Sequence, residues 1–262
     1  MTRFVAFETT EFQRVAEHSF DSHVFFGSRK YSGPGPQIYM NNVDPGITLA
    51  AHFHRIDQFQ VFFGTEGARF GRKPIPSVFV HYVDAFRTYG PFSAAADTSL
   101  LYATIRAESD NYGGVMPGAR DERPYLGRRH LSAGVDGWDA ASRPGAGTAE
   151  TVEVFPAAAD GLAASLVRLG ANAAWSTPDA AATSGRALCL LDGELRSVLE
   201  GELRSVLEGE LRSGEGLYGP RTIGWQARTD PAAVLQAGPD GCALLTLDFP
   251  RPASNAGLDS YS

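Results

Sequence analysis

The stretch that most constrains this chain is Gly46 to Gly64, GITLAAHFHRIDQFQVFFG. Two histidines two residues apart sit in apolar, β-prone text, and a third, His81, follows in SVFVHYV. Side chains two apart in a strand share a face, so His52 and His54 are expected on one face and Ala51 and Phe53 on the other. A turn at Arg55-Ile56-Asp57 would return the chain as QFQVFF and bring Gln58 beside the two imidazoles. His81 completes a set of four if its strand crosses the same face. Burying such groups without a partner is costly. His52, His54, Gln58 and His81 are therefore predicted to hold one divalent metal, with zinc, iron, nickel, copper or manganese as the ions that imidazole suits.

The text around this stretch has the rhythm of an all-β fold. HVFFG, QIYM, ITLAAHFH, QFQVFFG, SVFVHYV and LLYATIRA are short apolar runs broken by turn chemistry such as SGPGP and NNVDPG, the pattern of a sandwich or barrel. Residues 1 to 20 carry no strong periodicity and are expected to add a short strand and a helical turn to that barrel. Residues 116 to 150 turn polar and rich in Gly, Arg and Pro, as a linker does. TVEVF, ASLVRLG, RALCLL, RTIGWQ and CALLTLDF then repeat the outline of the first half. The expected division is 1–118 for a metal-binding barrel, 119–150 for the linker, 151–250 for a second barrel and 251–262 for a frayed tail.

One local repeat interrupts the second half. LLDGELRS, VLEGELRS and VLEGELRS occupy 190–213 in three near-identical units of eight. Removing two of them leaves a continuous hairpin text, so sixteen residues look surplus to the fold. An eight-residue period advances a helix about 80° past two full turns, so an apolar stripe would wind round its surface. Each unit also carries a glycine, which disfavours helix. An extended hairpin or looped insertion, with Asp-Gly or Glu-Gly at the turn, is the reading favoured over an amphipathic helix.

Parity along the strands suggests what shares the site. Gln60 and Phe62 follow Gln58 inward, Phe79 precedes His81, and Tyr39 would line the same space from the strand before, giving an aromatic pocket with a few polar groups. Asp57, Asp84, Arg87 and Tyr89 fall near the ends of the motif strands and are candidates for the rim or for neighbours of the ligands, with a structural role as the default. His18, His23 and His130 lack ligand spacing and are read as surface residues or as neighbours of the ligands.

Several function classes are disfavoured. The formal charge is −7 and no basic run is present, so nucleic acid and anionic membranes are not expected partners. Cys189 and Cys242 lie far apart in apolar text without ligand spacing, as buried core thiols of a reducing compartment would. The first residues read neither as a signal peptide nor as a span, and a cytoplasmic location is expected. No phosphate-binding loop, dinucleotide fingerprint, nucleophile elbow or His-Glu-x-x-His is present.

These motifs resemble the cupin superfamily. Its first motif, Gly-x5-His-x-His-x3-Glu with a Gly some six residues on, is matched by Gly46, His52, His54 and Gly64, with Gln58 at the glutamate position. Its second, Pro-x-Gly-x-x-His-x-x-x-Asn, is matched by Pro76 and His81, while Val78 and Ala85 replace Gly and Asn. The resemblance covers roughly residues 22–107 and implies an all-β chain of two cupin-type (jelly-roll) β-barrels in tandem, a bicupin. No histidine follows His130, so the second barrel is expected to be degenerate, structural or part of a homodimer interface.

For function, the resemblance implies a metal-dependent enzyme holding Mn(II), Fe(II), Ni(II) or Zn(II) and acting on a small oxygenated organic molecule. With Gln58 in place of glutamate the four ligands are all neutral, so the ion keeps its full charge toward substrate. That favours Lewis-acid lyase or isomerase chemistry. The alternatives are an Fe(II) dioxygenase with the same ligands and a non-catalytic, small-ligand-binding bicupin.

Overall fold

The computed structural model describes residues 1–198 and 217–251. Among them every regular element is a β-strand apart from short 3-10 turns, and no helix is long and apolar enough to cross a membrane. Most of the repeat, residues 199–213, and the tail from 252 lie outside the described residues.

The chain divides into two compact units, and the division differs from the sequence expectation at both boundaries. One unit is Thr10–Asp136; the other joins Met1–Thr9 to the described residues from Gly137 on. The first strand, Arg3–Val5, was expected on the first barrel. It instead pairs antiparallel with Ile223–Gln226, Phe4 lying opposite Gly224. A side chain at Gly224 would sit 2.5 Å from the Phe4 ring, and that ring stacks on Tyr218 at 5.1 Å. Three residues are too short for a periodic signal, and the packing that fixes them comes from more than 200 positions away. The expected linker also splits: His130–Gly134 is a strand paired along Phe79–Val83, so the first unit extends well beyond residue 118.

The unit Thr10–Asp136 is built on a seven-stranded antiparallel sheet in the order His130–Gly134, Phe79–Val83, Gln58–Phe63, Leu100–Arg106, Gln37–Val43, Phe20–Phe26, Glu11–Val15. A four-stranded sheet of two-residue strands, Thr48–Leu49, Phe92–Ser93, Arg69–Phe70 and Lys73–Pro74, accompanies it. His52–Phe53 pairs separately with Gly114–Val115. The central strand Gln58–Phe63 is almost wholly buried, and alternate side chains serve different neighbours. Phe62 joins Phe20, Val43, Phe92, Leu100 and Tyr102 in the apolar core, whereas Phe59 on the opposite parity packs against Tyr82 at 4.8 Å.

The two motif glycines have separate reasons. Gly46 takes φ +75°, where only glycine is free of strain, and its N–H donates to Ala95 O. Gly64 has room for no side chain: a Cβ would lie 2.1 Å from Pro76 O.

The second unit has an eight-stranded sheet with the path Arg3–Val5, Ile223–Gln226, Arg186–Val198, Val234–Asp248, Ala163–Leu169, Ala149–Phe155. Its core gathers Val167, Leu169, Leu188, Leu190, Leu235 and Leu244. Inside it Arg186 forms a buried ion pair with Asp248 at 2.7 Å and donates to Gln226 Oε1 at 3.2 Å. The first repeat unit corrects the turn reading: Asp192-Gly193 is no hairpin turn but part of the strand Arg186–Val198, where the register against Val234–Asp248 shifts on either side of it. Gly193 has φ +80°, and a Cβ there would meet Gly241 O at 2.2 Å. Between Gly193 and Leu195 the partner register jumps from Cys242 to Ala237, so the extra residues there belong to Val234–Asp248, an irregularity of the bulge type.

Candidate metal and ligand site

The site is organised by three rows that run across the seven-stranded sheet. Cross-strand register places Val83, Gln58, Arg106 and Gln37 in one row, His81, Gln60, Thr104 and Tyr39 in the next, and Phe79, Phe62, Tyr102 and Asn41 in the third. His81 therefore stands opposite Gln60, one row away from Gln58. The third row closes the apolar core, and Phe62 and Phe79 pack there at 5.8 Å. Of the four pocket residues expected from parity, Tyr39 and Gln60 line a cavity of about 630 Å³ and Phe62 and Phe79 do not. The sequence supplied the correct face but not the depth at which polar lining gives way to core.

His52 and His54 reach the cavity from a separate short strand. Phe53 between them points the other way and is buried against Phe86 and Tyr112; Gly114 lacks the Cβ that would lie 2.3 Å from its ring. The two imidazoles lie 5.3 Å apart and nearly perpendicular, and both line the cavity. Each has its tautomer fixed by a main-chain carbonyl, which can only accept. His52 Nδ1–H donates to Ala50 O at 2.8 Å and His54 Nδ1–H to Tyr112 O, so both rings keep a lone pair at Nε2.

All three imidazoles are held neutral. Burial lowers His52 to about 4, with the Arg106 cation adding to the effect. Burial likewise drives His54 well below the usual range, helped by Arg106 and His52. His81 falls to about 3 through burial and its neighbour His130. His81 hydrogen-bonds Ser132 through Nδ1 at 3.0 Å, while its buried Nε2 has no partner. Gln60 Oε1, in the same row, and Gln58 Nε2 are also buried without a partner.

A tyrosine stands among these groups. Tyr89 is the antiparallel bridge partner of His52: each backbone N–H donates to the other's carbonyl, at 3.1 and 3.0 Å. Its ring lies 4.5 Å from that of His52, 6.4 Å from His54 and 5.5 Å from His81. The hydroxyl donates to His52 Nε2 at 2.6 Å. Burial raises the Tyr89 pKa far above the ordinary phenol value, so the proton stays on oxygen and the bond keeps this direction.

Gln58 is committed elsewhere. Its Oε1 accepts from Arg106 Nε at 3.1 Å and Nη2 at 3.0 Å. Arg106 also donates through Nη1 to Gln37 Oε1 at 2.6 Å and to Asp110 O at 2.8 Å. No carboxylate pairs with this buried cation among the described residues; amide and main-chain oxygens solvate it instead. Sequence reading did not single out Arg106, although a lone charge at inward parity in the apolar run LLYATIRA was a usable signal. Arg29, in the connection before Gln37–Val43, had no such signal.

The fit to a divalent metal is thus uneven. His52 and His54 fit, with neutral rings and fixed lone pairs on one cavity wall; His81 has a buried Nε2 that lacks a partner but does not line that cavity. Gln58 does not fit as it stands, because Arg106 holds its oxygen, and Tyr89 occupies the approach to His52 Nε2. Among the described residues no cluster of three His, Cys, Asp or Glu side chains is gathered tightly enough to form a ready metal cage. Of the four residues near the ends of the motif strands, Tyr89 stands in the site itself, whereas Asp57 and Asp84 are structural. Asp57 accepts from Ala85 N–H at 2.8 Å, and Asp84 pairs with Arg129 at 2.9 Å while accepting from Tyr82 OH at 3.0 Å. His18 lies on the cavity rim, His23 bonds Thr10 Oγ1, and the His130 ring lies 4.7 Å from that of His81.

No protein-family model matches the sequence, and no curated protein resembles it significantly. Solved structures share the fold at low identity. The bacterial pirin YhhW from Escherichia coli, in complex with nickel(II), aligns over 95% of this chain and 99% of its own at 14% identity with a TM-score of 0.55. Bacillus subtilis oxalate decarboxylase, a protein with Mn(II) centres, aligns over 95% of this chain and 77% of its own at 10% identity and 0.57. A cupin 2 conserved barrel domain protein from Leptotrichia buccalis gives 94%, 96%, 12% and 0.52 in the same order. With the glycine and histidine motif on its own strands and this fold shared along nearly the whole chain, the protein has the fold of these cupin structures, an all-β chain of jelly-roll type.

Proposed function

We propose that this chain is a metal-dependent cupin enzyme acting on a small oxygenated organic molecule, with lyase or isomerase chemistry as the reaction class. The observation that carries the reading is the pair of locked tautomers: Ala50 O and Tyr112 O leave His52 Nε2 and His54 Nε2 as lone-pair donors on one cavity wall. The nickel(II) of YhhW and the Mn(II) centres of oxalate decarboxylase, on the same fold, support a divalent ion. His52, His54 and His81 would hold it, and Mn, Fe, Ni and Zn all suit three imidazoles. Such an ion would supply Lewis-acid polarisation of a substrate hydroxyl or carbonyl.

The chain's own residues supply the rest. Arg106 keeps a fixed positive charge beside the site and holds Gln58 away from it. Tyr89 Oη holds a proton against His52 Nε2 and surrenders that contact when the lone pair is used elsewhere. Tyr39, Asn41 and Thr104 offer the cavity an aromatic face and short polar side chains that orient a ligand.

Elemental analysis of the purified protein tests this reading. About one equivalent of a divalent metal in the wild type and none in a His52→Ala/His54→Ala variant is the expected result. Full metal content in the double variant overturns the assignment. A specific observation favours a second reading, a metal-free ligand-binding barrel: Tyr89 OH and the Arg106 guanidinium already partner His52 Nε2 and Gln58 Oε1. Protein that purifies without metal and takes up none on addition, yet still binds small molecules in the cavity, would select it.

A further inference from the structure

We propose that the cavity takes a small organic carboxylate, gripped by the guanidinium of Arg29. This deepens the reading of the same cavity as the substrate site. Two arginines, Arg29 and Arg106, line its wall, and neither has a carboxylate partner among the described residues. A concave cavity with positive charge on its wall attracts anions more strongly than an exposed patch does.

Arg29 is the available one of the two. Arg106 spends its donors on Gln58, Gln37 and Asp110 O. Arg29 is placed by ring faces instead, its guanidinium carbon 4.4 Å from the Tyr39 centroid and 5.1 Å from that of Phe20. Its hydrogen bonds to protein run from Nη1 alone, to Ser22 Oγ and Asn41 Oδ1, both long at 3.4 Å. Nε and Nη2 are left as a forked pair of donors, which is the geometry that a carboxylate fills with two parallel bonds.

The carboxylates nearby do not compete for that fork. Asp110 accepts from the backbone N–H groups of Arg55 and Tyr112, and Glu17 stands exposed on the rim. One free fork suits a carboxylate better than a phosphate, which needs donors on several sides. The aromatic walls at Tyr39 and Tyr102 accommodate a planar or oxygenated body beyond the acid group.

The test is a calorimetric titration with benzoate and pyruvate, using benzamide and inorganic phosphate as comparisons, on purified protein both as isolated and after chelator treatment. The expected result is binding of at least one carboxylate in both preparations, with benzamide and phosphate weaker by about tenfold or more. Arg29→Gln is expected to weaken carboxylate binding by a similar factor with the unfolding midpoint unchanged, and Arg29→Lys to recover part of the loss. Failure of both carboxylates to bind at millimolar concentration, equal binding of benzamide or phosphate, or an Arg29→Gln variant that binds as the wild type does would overturn the proposal. Because the chelator-treated arm is read without metal, a failure of the metal assignment leaves this result standing, and the reverse also holds.

Discussion

Tyr89 donates its phenolic hydrogen to His52 Nε2 across 2.6 Å, and the two residues are also joined backbone to backbone as bridge partners. The bond places a neutral donor on the lone pair that the Ala50 carbonyl has fixed at that nitrogen. In the seven-stranded sheet, Gln58 Oε1 is likewise taken by Arg106. The site thus satisfies part of its own ligand set, and a metal must displace at least the phenol to use His52.

That displacement is measurable. Tyr89→Phe removes the competing hydroxyl while keeping the ring against His52, His54 and His81. The expected outcome is a Ni(II) or Mn(II) affinity raised by severalfold, since a buried hydrogen bond contributes about 1 kcal/mol. Weaker binding in this variant would show that the phenol helps to hold the ion instead.

Gln58→Glu by itself is expected to change metal affinity by less than about threefold. The new carboxylate would face Arg106 at hydrogen-bond distance and form a buried ion pair, which roughly balances its own desolvation. Combined with Arg106→Met, the same change should raise affinity by more than about tenfold. A double-mutant cycle on metal binding reads the coupling, and simple additivity would refute it.

Arg106→Met alone should destabilise the protein by about 3 kcal/mol, because Gln58 Oε1, Gln37 Oε1 and Asp110 O lose their donor inside the barrel. Urea denaturation measures the loss. Stability within about 0.5 kcal/mol of wild type would mean that the cation's desolvation had offset its hydrogen bonds.

Acid should destabilise the metal-free protein well above the ordinary carboxylate range. His52, at about 4, and His81, at about 3, have folded values below that of an unfolded imidazole, and His54 is lowered too. At pH 5 the unfolded chain therefore binds three protons that the folded site refuses. Asp57 works in the opposite direction: burial raises it to about 6, so the folded state holds a proton there that the unfolded state has lost. His23 and His130 are lowered by burial as well and Asp248 is raised; five imidazoles against two carboxyls leave the unfolded chain ahead. Stability is present in full above about pH 6.5 and falls by on the order of 2 kcal/mol per unit as pH drops toward 4. Denaturant midpoints measured from pH 7.5 to 4.5 check it, and a flat profile would contradict the neutral-imidazole assignment.

Much of the fold was legible because strand periodicity is local. Alternation placed His52 and His54 on one face with Phe53 on the other, and set Gln58, Gln60 and Phe62 at one parity, of which Gln60 lines the cavity and Phe62 the apolar core. Glycine at Gly46 and Gly64 was readable from motif spacing, while its cause, a positive φ in one case and the approach of Pro76 O in the other, was not. Register was out of reach, since it depends on pairings between distant strands. It sets His81 opposite Gln60 and Arg106 beside Gln58.

The sequence by itself determined the all-β class, the cupin motif and the identity of the imidazoles, because these follow from residue types at fixed short spacing. Only the tertiary structure decided what those side chains meet: the Tyr89 phenol on His52, the buried Arg106 on Gln58, the Arg29 fork at the cavity wall, and the first strand's place beside Ile223–Gln226. The physical reason is the same in each case. A buried polar atom takes its role from the partner that satisfies it, and those partners lie on strands that only folding brings together.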